Sequence, residues 1–282
     1  AGRRLNNLAD CLRHLEGLHP KGQAGIELGL ERIRRVKAAL GQTQHCPVII
    51  VGGTNGKGST CSYLENIIDR AGYRVGCYTS PHLLVYNERV RVNGKPASDD
   101  ALCAAFARVE AARQEVGNIM LTYFEFGTLA AWEVFAAADV EAAILEVGLG
   151  GRLDAVNAYE PDVSIVTTIA LDHTDWLGPD RASIGFEKAG IYRAGKPALC
   201  ADPQPPQSLL DHAAAIGADL RLIGRDFGFE HTRGEGNENR LQWRWWCRAG
   251  EKLIKRSLAY PGLRGPAQLY NAAVALAALE AL

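Results

Sequence analysis

The spacing of apolar residues predicts two helices at the start of the chain, followed by a strand, a glycine-rich turn and a third helix. Residues 5–19 and 27–40 carry apolar side chains at helical spacing, and the turn-like segment HPKGQAG separates them. The run PVIIVGG, residues 47–53, is typical of a buried strand and ends in glycines. Residues 59–72 are again helical in pattern and stop at a glycine.

Strands and helices alternate along most of the remaining chain. Strands are predicted in YRVGCYTS, VEAAILEVGLGG, DVSIVTTIALDH and KPALC, and helices over residues 98–117, 123–138, 180–194 and 207–216. The segment PHLLVYNERVRVNGKP is predicted as a polar connection. This alternation favours an α/β fold with a largely parallel sheet and helices on both faces. Residues 225–260 break the alternation, and their short β-like runs, including LQWRWWCR, predict a small antiparallel appendage.

Composition and charge exclude several classes of partner. The chain has 31 basic and 32 acidic residues and a net charge of -1, with no like-charge block of the kind that binds nucleic acid. No apolar run approaches the ~20 residues of a membrane-spanning helix, so no membrane partner is expected. The seven cysteines are scattered without a CxxC pair, which favours reduced thiols and a cytoplasmic location. Because the sequence lacks an initiator Met and stops inside the helical pattern NAAVALAALEAL, we expect a truncated protein.

Residues 52–60, GGTNGKGST, lie between the predicted strand and helix and form a candidate phosphate loop. Glycines let backbone amides converge on phosphate oxygens, and the helix N-terminus adds partial positive charge. Lys57 would supply a catalytic cation, and Ser59 or Thr60 a hydroxyl for magnesium. The nucleotide-binding residues predicted here are Thr54, Asn55, Gly56, Lys57, Gly58, Ser59 and Thr60. Because Val51 occupies the first glycine position and an extra glycine follows Lys57, an ordinary kinase or GTPase is disfavoured.

Six further segments, together with this loop, resemble the Mur ligase superfamily and, within it, the dihydrofolate synthase/folylpolyglutamate synthase family. They are TSPHL (79–83), ERVRVNG (88–94), LTYFEFGTLAA (121–131), ILEVGLGGRLDAVN (144–157), IALDHTDWLGP (169–179) and EKAGI (187–191). The resemblance implies a P-loop NTPase-like fold and a ligase that uses ATP and Mg²⁺. Such a ligase joins L-glutamate to dihydropteroate, and to the γ-carboxylate of folates, through an acyl phosphate. It also implies a monomer whose partners are these small molecules.

Two alternatives to this function remain open from the residues. A sister ligase that adds amino acids to UDP-N-acetylmuramoyl precursors would share the phosphate loop, but the LTYFEFGT and GGRLDAVN segments disfavour it. A non-catalytic nucleotide-binding module is the other alternative, and the intact set of metal-ligand residues disfavours it.

The resemblance also implies a metal site. Its ligands would be Ser59, Ser80 and Glu146, with His173 and a carbamylated Lys188 at a second ion, and catalytic roles fall to Lys57, His173 and Lys188. A carbamate would turn the lysine cation into an oxygen donor for the metal. Taken alone, Glu146 could be an ion-paired strand end, His173 a structural histidine and Lys188 a solvated helix lysine.

For the pterin substrate, the family's binding segments match three stretches of this sequence. They are Glu27, Leu28 and Gly29; Leu121, Thr122, Tyr123, Phe124 and Glu125; and Leu153, Asp154 and Ala155. Phe124 would stack on the pterin and Asp154 would accept its N–H groups, although Phe124 could equally be core and Asp154 a helix cap. Glu27 departs from the family pattern, which has an aspartate there. Gln268 and Asn271 resemble the segment that meets the adenine ring; the alternative is an ordinary helix-start Gln and Asn.

The resemblance divides the chain into two parts. Residues 1–265 would form a Mur ligase-type ATP-binding domain, with the antiparallel appendage at about 225–260, and residues 266–282 a linker helix. A C-terminal Rossmann-like ligase domain is expected to be absent from this chain. We therefore expect the chain to bind ATP but to turn over poorly or not at all.

Overall fold

The computed structural model describes residues 6–171, 178–230, 242–261, 265 and 267–282. The chain divides into two compact units. The first contains the described residues up to Val48, Glu65–Leu149 and Leu153–Glu160. The second contains Ile49–Leu64, Gly150–Arg152 and the described residues from Pro161 onward.

The first unit packs helices around four strands. Its helices are α1 (Leu8–Leu18), α2 (Glu31–Leu40), α4 (Asp99–Glu115) and α5 (Tyr123–Ala137), and its strands are β2 (Val75–Tyr78), β3 (Val90–Val92), β4 (Lys95–Pro96) and β5 (Ala142–Glu146). The strand order is β4-β3-β2-β5, with β2 parallel to β5 and antiparallel to β3. Single 3-10 turns lie at Gly22–Ala24, Tyr86–Arg89 and Ala155–Ala158.

The second unit carries the parallel strands and the antiparallel appendage. Its elements are β1 (Val48–Gly52), the start of α3 (Lys57–Arg70), β6 (Val163–Val166), α6 (Arg181–Ala189), β7 (Pro197–Cys200), α7 (Gln207–Ile216), β8 (Asp219–Leu222), β9 (Phe227–Glu230), β10 (Gln242–Ala249), β11 (Lys252–Ala259) and α8 (Ala267–Ala281). Strands β1-β6-β7-β8 are all parallel. Strands β11-β10-β9 form a separate antiparallel sheet. The predicted α/β class, with a mostly parallel sheet and a small antiparallel part, is confirmed.

Sequence signals explain where the helices begin. Ser98 caps α4 by accepting a hydrogen bond from the amide of Ala101, and Thr122 and Glu125 form a capping box at the start of α5. Almost every position of α5 is buried, which is why its pattern is apolar all round. Trp132 on this helix stacks on Tyr159 with ring centroids 4.9 Å apart, at the centre of the first unit's core.

The alternating burial of β10 explains the tryptophan-rich appendage. Trp243, Trp245 and Cys247 are buried, whereas the residues between them are more exposed. The indole of Trp245 donates to the carbonyl of Ala273, which ties α8 to the antiparallel sheet.

Three sequence predictions were wrong in their bounds or type. The helix predicted over 27–40 begins only at Glu31, because Gly29 has a φ of 141°, outside the helical region. The helix predicted over 180–194 ends at Ala189, with Gly190 as its C-cap. The segment predicted as a polar connection forms the β3–β4 hairpin, whose Asn93-Gly94 turn has positive φ at both residues. Among the described helices, none is long and apolar enough to cross a bilayer.

Candidate functional site

The glycine-rich loop of the second unit is held in one conformation by its neighbours. Gly53 and Gly56 have φ of 124° and 90°, and a side chain on either would overlap Thr167 or the Asn271 amide oxygen, respectively. The amide of Thr54 donates to the carbonyl of Thr168 over 2.7 Å, which fastens the loop to the end of β6. The loop then runs directly into α3, whose first amides lack intrahelical acceptors and suit an anion.

Gln268 and Asn271 on α8 lie against this loop, as members of the same unit. The side-chain amide of Gln268 donates to Ser59 Oγ at 3.4 Å and its carbonyl oxygen accepts from the hydroxyl of Tyr63 at 3.0 Å. Asn271 donates to the same carbonyl oxygen at 3.3 Å. The structure therefore brings the predicted nucleotide residues of the loop and of α8 together.

Thr60 adds a hydroxyl to the loop region. It is completely buried in the first turn of α3, and its Oγ1 has no hydrogen-bond partner among the residues that the structure describes. A buried hydroxyl normally has a hydrogen-bond partner, so a ligand at the loop that binds this hydroxyl oxygen would complete the site.

Lys188 is buried rather than solvated. Its side chain on α6 is 1% exposed, and Nζ donates to the carbonyl of Gly53 at 3.2 Å. The helix can approach because Gly151 lacks a side chain; a Cβ there would lie 2.7 Å from the carbonyl oxygen of Glu187. The interpretation of Lys188 as a solvated helix lysine is therefore wrong. The structure places it at the phosphate loop, where a charged group is costly unless it is paired.

Ser80 and Glu146 meet in the first unit, at the ends of β2 and β5. Glu146 is buried, and one of its carboxylate oxygens accepts from the amide of Ser80 at 3.0 Å. Over the described part of the chain, no group of three or more His, Cys, Asp or Glu side chains is arranged to hold a metal. A magnesium site with few protein ligands fits this pair, because Mg²⁺ takes one or two carboxylates and completes its shell with water and phosphate. His173 lies outside the described residues.

A cavity of ≈ 290 Å³ lies wholly within the first unit. All the predicted substrate residues line it except Gly29 and Leu121: Glu27, Leu28, Thr122, Tyr123, Phe124, Glu125, Leu153, Asp154 and Ala155. Leu121 is a fully buried core residue, and Gly29 donates its amide to the carbonyl of Leu153 at 3.5 Å. Segments far apart in sequence thus form one concave wall.

Asp154 and Phe124 shape one side of the cavity. Asp154 accepts from the amides of Gly148, Leu149 and Val156 at 2.9–3.1 Å, so its interpretation as a helix cap is confirmed. Phe124 stacks on Tyr78 with ring centroids 5.7 Å apart, and it also lines the cavity. A flat aromatic surface beside a carboxylate is the arrangement that a pterin ring would need.

Arg32 joins two walls of the cavity without lining it. Its guanidinium lies 3.1 Å from the carboxylate of Glu125 and 3.4 Å from that of Glu27. His19 approaches the other oxygen of Glu27 at 3.1 Å. Both carboxylates are therefore held by protein groups.

Arg89 is a cavity residue that the sequence interpretation did not single out. Its guanidinium lies over the rings of Tyr86 and Tyr123, 5.3 and 5.4 Å from their centroids, and Nε donates to His82 at 2.8 Å. Within the described parts of the chain, no carboxylate pairs with it. Burial and the Arg89 charge lower the pKa of His82. The ERVRVNG motif contains this residue, and the neighbouring Glu88 accepts the amides of Leu83, Leu84 and Val85.

Comparison with known proteins identifies the family. The Mur ligase middle domain matches residues 51–279. The dihydrofolate synthase/folylpolyglutamate synthase of Escherichia coli is 48% identical over 275 residues, which cover 97% of this chain and 60% of the relative. The corresponding protein of Haemophilus influenzae is 42% identical, and the match covers 98% of this chain and 58% of the relative. The chain thus spans about 60% of the length of these curated relatives.

Solved structures of related proteins support the same family. "E.coli FolC in complex with DHPP and ADP" has a TM-score of 0.88 and 47% identity over 99% of this chain and 63% of that one. A Yersinia pestis bifunctional folylpolyglutamate synthase/dihydrofolate synthase with AMPPNP and Mn has a TM-score of 0.86 and 47% identity. The match covers 100% of this chain and 64% of that one. The resemblance predicted from the motifs is confirmed, and the chain belongs to the Mur ligase family, with dihydrofolate synthase/folylpolyglutamate synthases as its relatives.

Proposed function

We propose that this chain forms the nucleotide- and pterin-binding part of an ATP-dependent ligase that joins L-glutamate to dihydropteroate and to the γ-carboxylate of folates. The cavity of the first unit is the observation that carries the proposal, because it gathers the predicted substrate residues of three separate segments. Solved relatives bound to ADP, AMPPNP, L-glutamate or DHPP support it.

The reaction begins with attack of the acceptor carboxylate on the γ-phosphorus of ATP, which breaks the bond to the β-phosphate and releases ADP. The acyl phosphate carbonyl is then attacked by the amine of L-glutamate. A tetrahedral oxyanion collapses, the amide forms, and phosphate leaves. No side chain of the protein forms a covalent bond with the substrate in these reaction steps.

The second unit would hold the nucleotide. Amides at the start of α3 bind phosphate oxygens, and Lys57 adds positive charge as the γ-phosphoryl group moves. Ser59 and Thr60 supply hydroxyls, and Gln268 and Asn271 brace the loop.

The metal ligands proposed for this chain are Ser59, Ser80, Glu146, His173 and Lys188. A bound magnesium ion supplies charge that shields the carboxylate and phosphate anions from each other. Lys188 becomes an oxygen donor once its amine adds CO₂ and loses a proton. Isotopically labelled bicarbonate tests this step: we expect a carbamate carbonyl signal that is lost in Lys188→Arg, and no signal in the wild type would contradict it.

The first unit would hold the acceptor. Phe124 stacks on the pterin ring, and the walls that carry Glu27, Glu125 and Asp154 enclose it. The cation of Arg89 pairs with an acceptor carboxylate, which is the charged group common to dihydropteroate and the folates.

The division into a domain over 1–265 and a linker helix over 266–282, the monomeric state and the cytoplasmic location stay predictions. A thermal-shift comparison tests the substrate class. Dihydropteroate should raise the melting temperature, with or without ATP and magnesium, whereas a UDP-N-acetylmuramoyl peptide should not. The opposite result would favour the sister ligase, and a response to ATP alone would favour a non-catalytic module.

A further inference from the structure

Two thiols on neighbouring helices of the first unit are in contact. Cys11 lies on α1 and Cys103 on α4, 92 positions apart in sequence. The thiol of Cys11 donates a hydrogen bond to the sulfur of Cys103, and the two Sγ atoms are 3.8 Å apart. We propose that Cys11 and Cys103 are an oxidative modification site, at which a reversible disulfide ties α1 to α4.

A second close approach joins the same two helices, although its geometry is not that of a hydrogen bond. His14 lies one turn after Cys11, and its Nε2 is 2.8 Å from the carboxylate of Glu110 on α4. Arg113 fixes that carboxylate at 2.6 Å. Since a disulfide has sulfur atoms ~2.0 Å apart, bond formation requires the sulfurs to approach by less than ~2 Å.

The two thiols differ in access and acidity. Cys11 is fully buried and Cys103 is partly exposed. Burial, together with the neighbouring Cys103, raises the pKa of the Cys11 thiol to about 12. Cys11 therefore stays protonated at neutral pH, and an oxidant from solvent reaches Cys103 first.

Hydrogen peroxide is the oxidant in the proposed reaction. The sulfur of Cys103 attacks one peroxide oxygen, the O–O bond breaks, and a sulfenic acid and one water form. The sulfur of Cys11 then attacks the sulfenic sulfur; the S–S bond forms, the S–O bond breaks, and the hydroxide leaves as water with the proton of Cys11. The two thiols lose two electrons in total, and these reduce one peroxide to two waters.

The disulfide would stabilise the wall of the cavity that contacts α1. The side-chain amide of Gln23, a cavity residue, donates to Glu16 on α1 at 2.6 Å, and His19 at the end of α1 approaches Glu27 at 3.1 Å. Because the sulfurs are already in contact, the cross-link should preserve this wall rather than distort it. Only this consequence rests on the proposed function; formation of the bond does not.

The test treats the 282-residue chain with hydrogen peroxide and maps its peptides by mass spectrometry without reduction. We expect a peptide that links Cys11 to Cys103, formed faster as the pH rises because thiols react as thiolates, and removed by dithiothreitol. Oxidation should raise the melting temperature by roughly 5–10 °C, because the bond closes a long loop of the unfolded chain. It should leave dihydropteroate affinity within a factor of two.

Variants separate the cross-link from general oxidation. Cys103→Ser should abolish the linked peptide and the rise in melting temperature, whereas Cys46→Ser, a control at another half-buried thiol, should retain both. Cys103→Ser changes a partly exposed side chain, so folding should survive. Oxidation of Cys103 to a sulfinic or sulfonic acid without the linked peptide, or a linked protein that melts at a lower temperature, would overturn the proposal. If dihydropteroate does not bind even the reduced protein, the proposed function fails while the disulfide remains testable.

Discussion

The guanidinium of Arg32 donates to both carboxylate oxygens of Glu125, from Nε at 3.3 Å and from Nη2 at 3.1 Å. Glu125 is buried, and it also accepts the amide of Thr122 within the capping box. Arg32 reaches Glu27 as well, so one cation joins the segment before α2 to the start of α5. These are two walls of the cavity, and the geometry makes Arg32 a positioning residue for both.

Replacing this cation should loosen the cavity and destabilise the first unit. In Arg32→Gln, Glu125 keeps the Thr122 amide but loses its charged partner, at a cost of about 2 kcal/mol in the free energy of unfolding. Urea denaturation measures this cost, and Arg32→Lys should recover only part of it, because an ammonium cannot reproduce the paired geometry. The exposed Arg35 on the same helix is the control, and Arg35→Gln should change stability by less than ~0.5 kcal/mol. Equal losses in both variants would contradict this role.

Adding a methyl group to the phosphate loop should abolish nucleotide binding. An alanine at Gly53 would overlap the hydroxyl of Thr167, and one at Gly56 the amide of Asn271. Gly72 is a matched control, because its φ of 91° resembles that of Gly56 while a Cβ there meets open space. Calorimetric titration with ATP and magnesium should show binding in Gly72→Ala and none in Gly56→Ala. Binding of similar strength in both would rule out the loop as the phosphate site.

Much of the fold and of the candidate site could be predicted from the sequence, and the features that could not be predicted have physical causes. Capping residues such as Ser98 act locally, so their helices were predicted within about two residues. Arg32 escaped notice because its buried partner Glu125 is 93 positions away in sequence, and nothing in the local pattern pairs the two. The burial of Lys188 likewise depends on the small Gly151 of another segment. Contacts between segments that are distant in sequence do not show in the hydrophobic pattern along the chain.

Narrowing the cavity should weaken acceptor binding without affecting ATP. A Cβ at Gly148 would lie 2.9 Å from the ring of Phe124 and 3.2 Å from the carboxylate of Asp154. Since the Phe124 ring must then leave its present position in the cavity wall, Gly148→Ala should reduce dihydropteroate affinity by a factor of about ten or more. Fluorescence titrations with each ligand measure this, and a proportional loss of ATP affinity would indicate general misfolding instead.

Arg89 should carry the part of the affinity that depends on the acceptor's carboxylate. Arg89→Gln should weaken dihydropteroate binding about tenfold or more, because a charged hydrogen-bonded pair contributes roughly 1.5–3 kcal/mol. A neutral pterin without the benzoate should bind both proteins alike. Lys95→Gln removes the same charge from exposed β4, outside the cavity, and should leave both ligands unaffected. Loss of both ligands in Arg89→Gln would contradict the pairing.

The same variant should change the titration of His82. Arg89 is one of the two causes that lower the pKa of His82, the larger being burial. Removing the guanidinium should therefore raise the pKa of His82 toward its ordinary value, so that the ring protonates at a higher pH. Nuclear magnetic resonance titration of the imidazole resonances measures the shift. An unchanged or lower value in Arg89→Gln would show that the two groups do not interact in solution.

The most direct test of the substrate cavity is calorimetric titration of dihydropteroate into the wild-type chain, Phe124→Ala and Phe186→Ala. Phe124 lines the cavity, whereas Phe186 is exposed on α6 in the other unit and controls for loss of a phenyl ring. We predict one binding site, an affinity reduced at least tenfold in Phe124→Ala, and an unchanged affinity in Phe186→Ala. No binding to the wild type, or equal binding to all three proteins, would contradict the assignment of this cavity to the pterin.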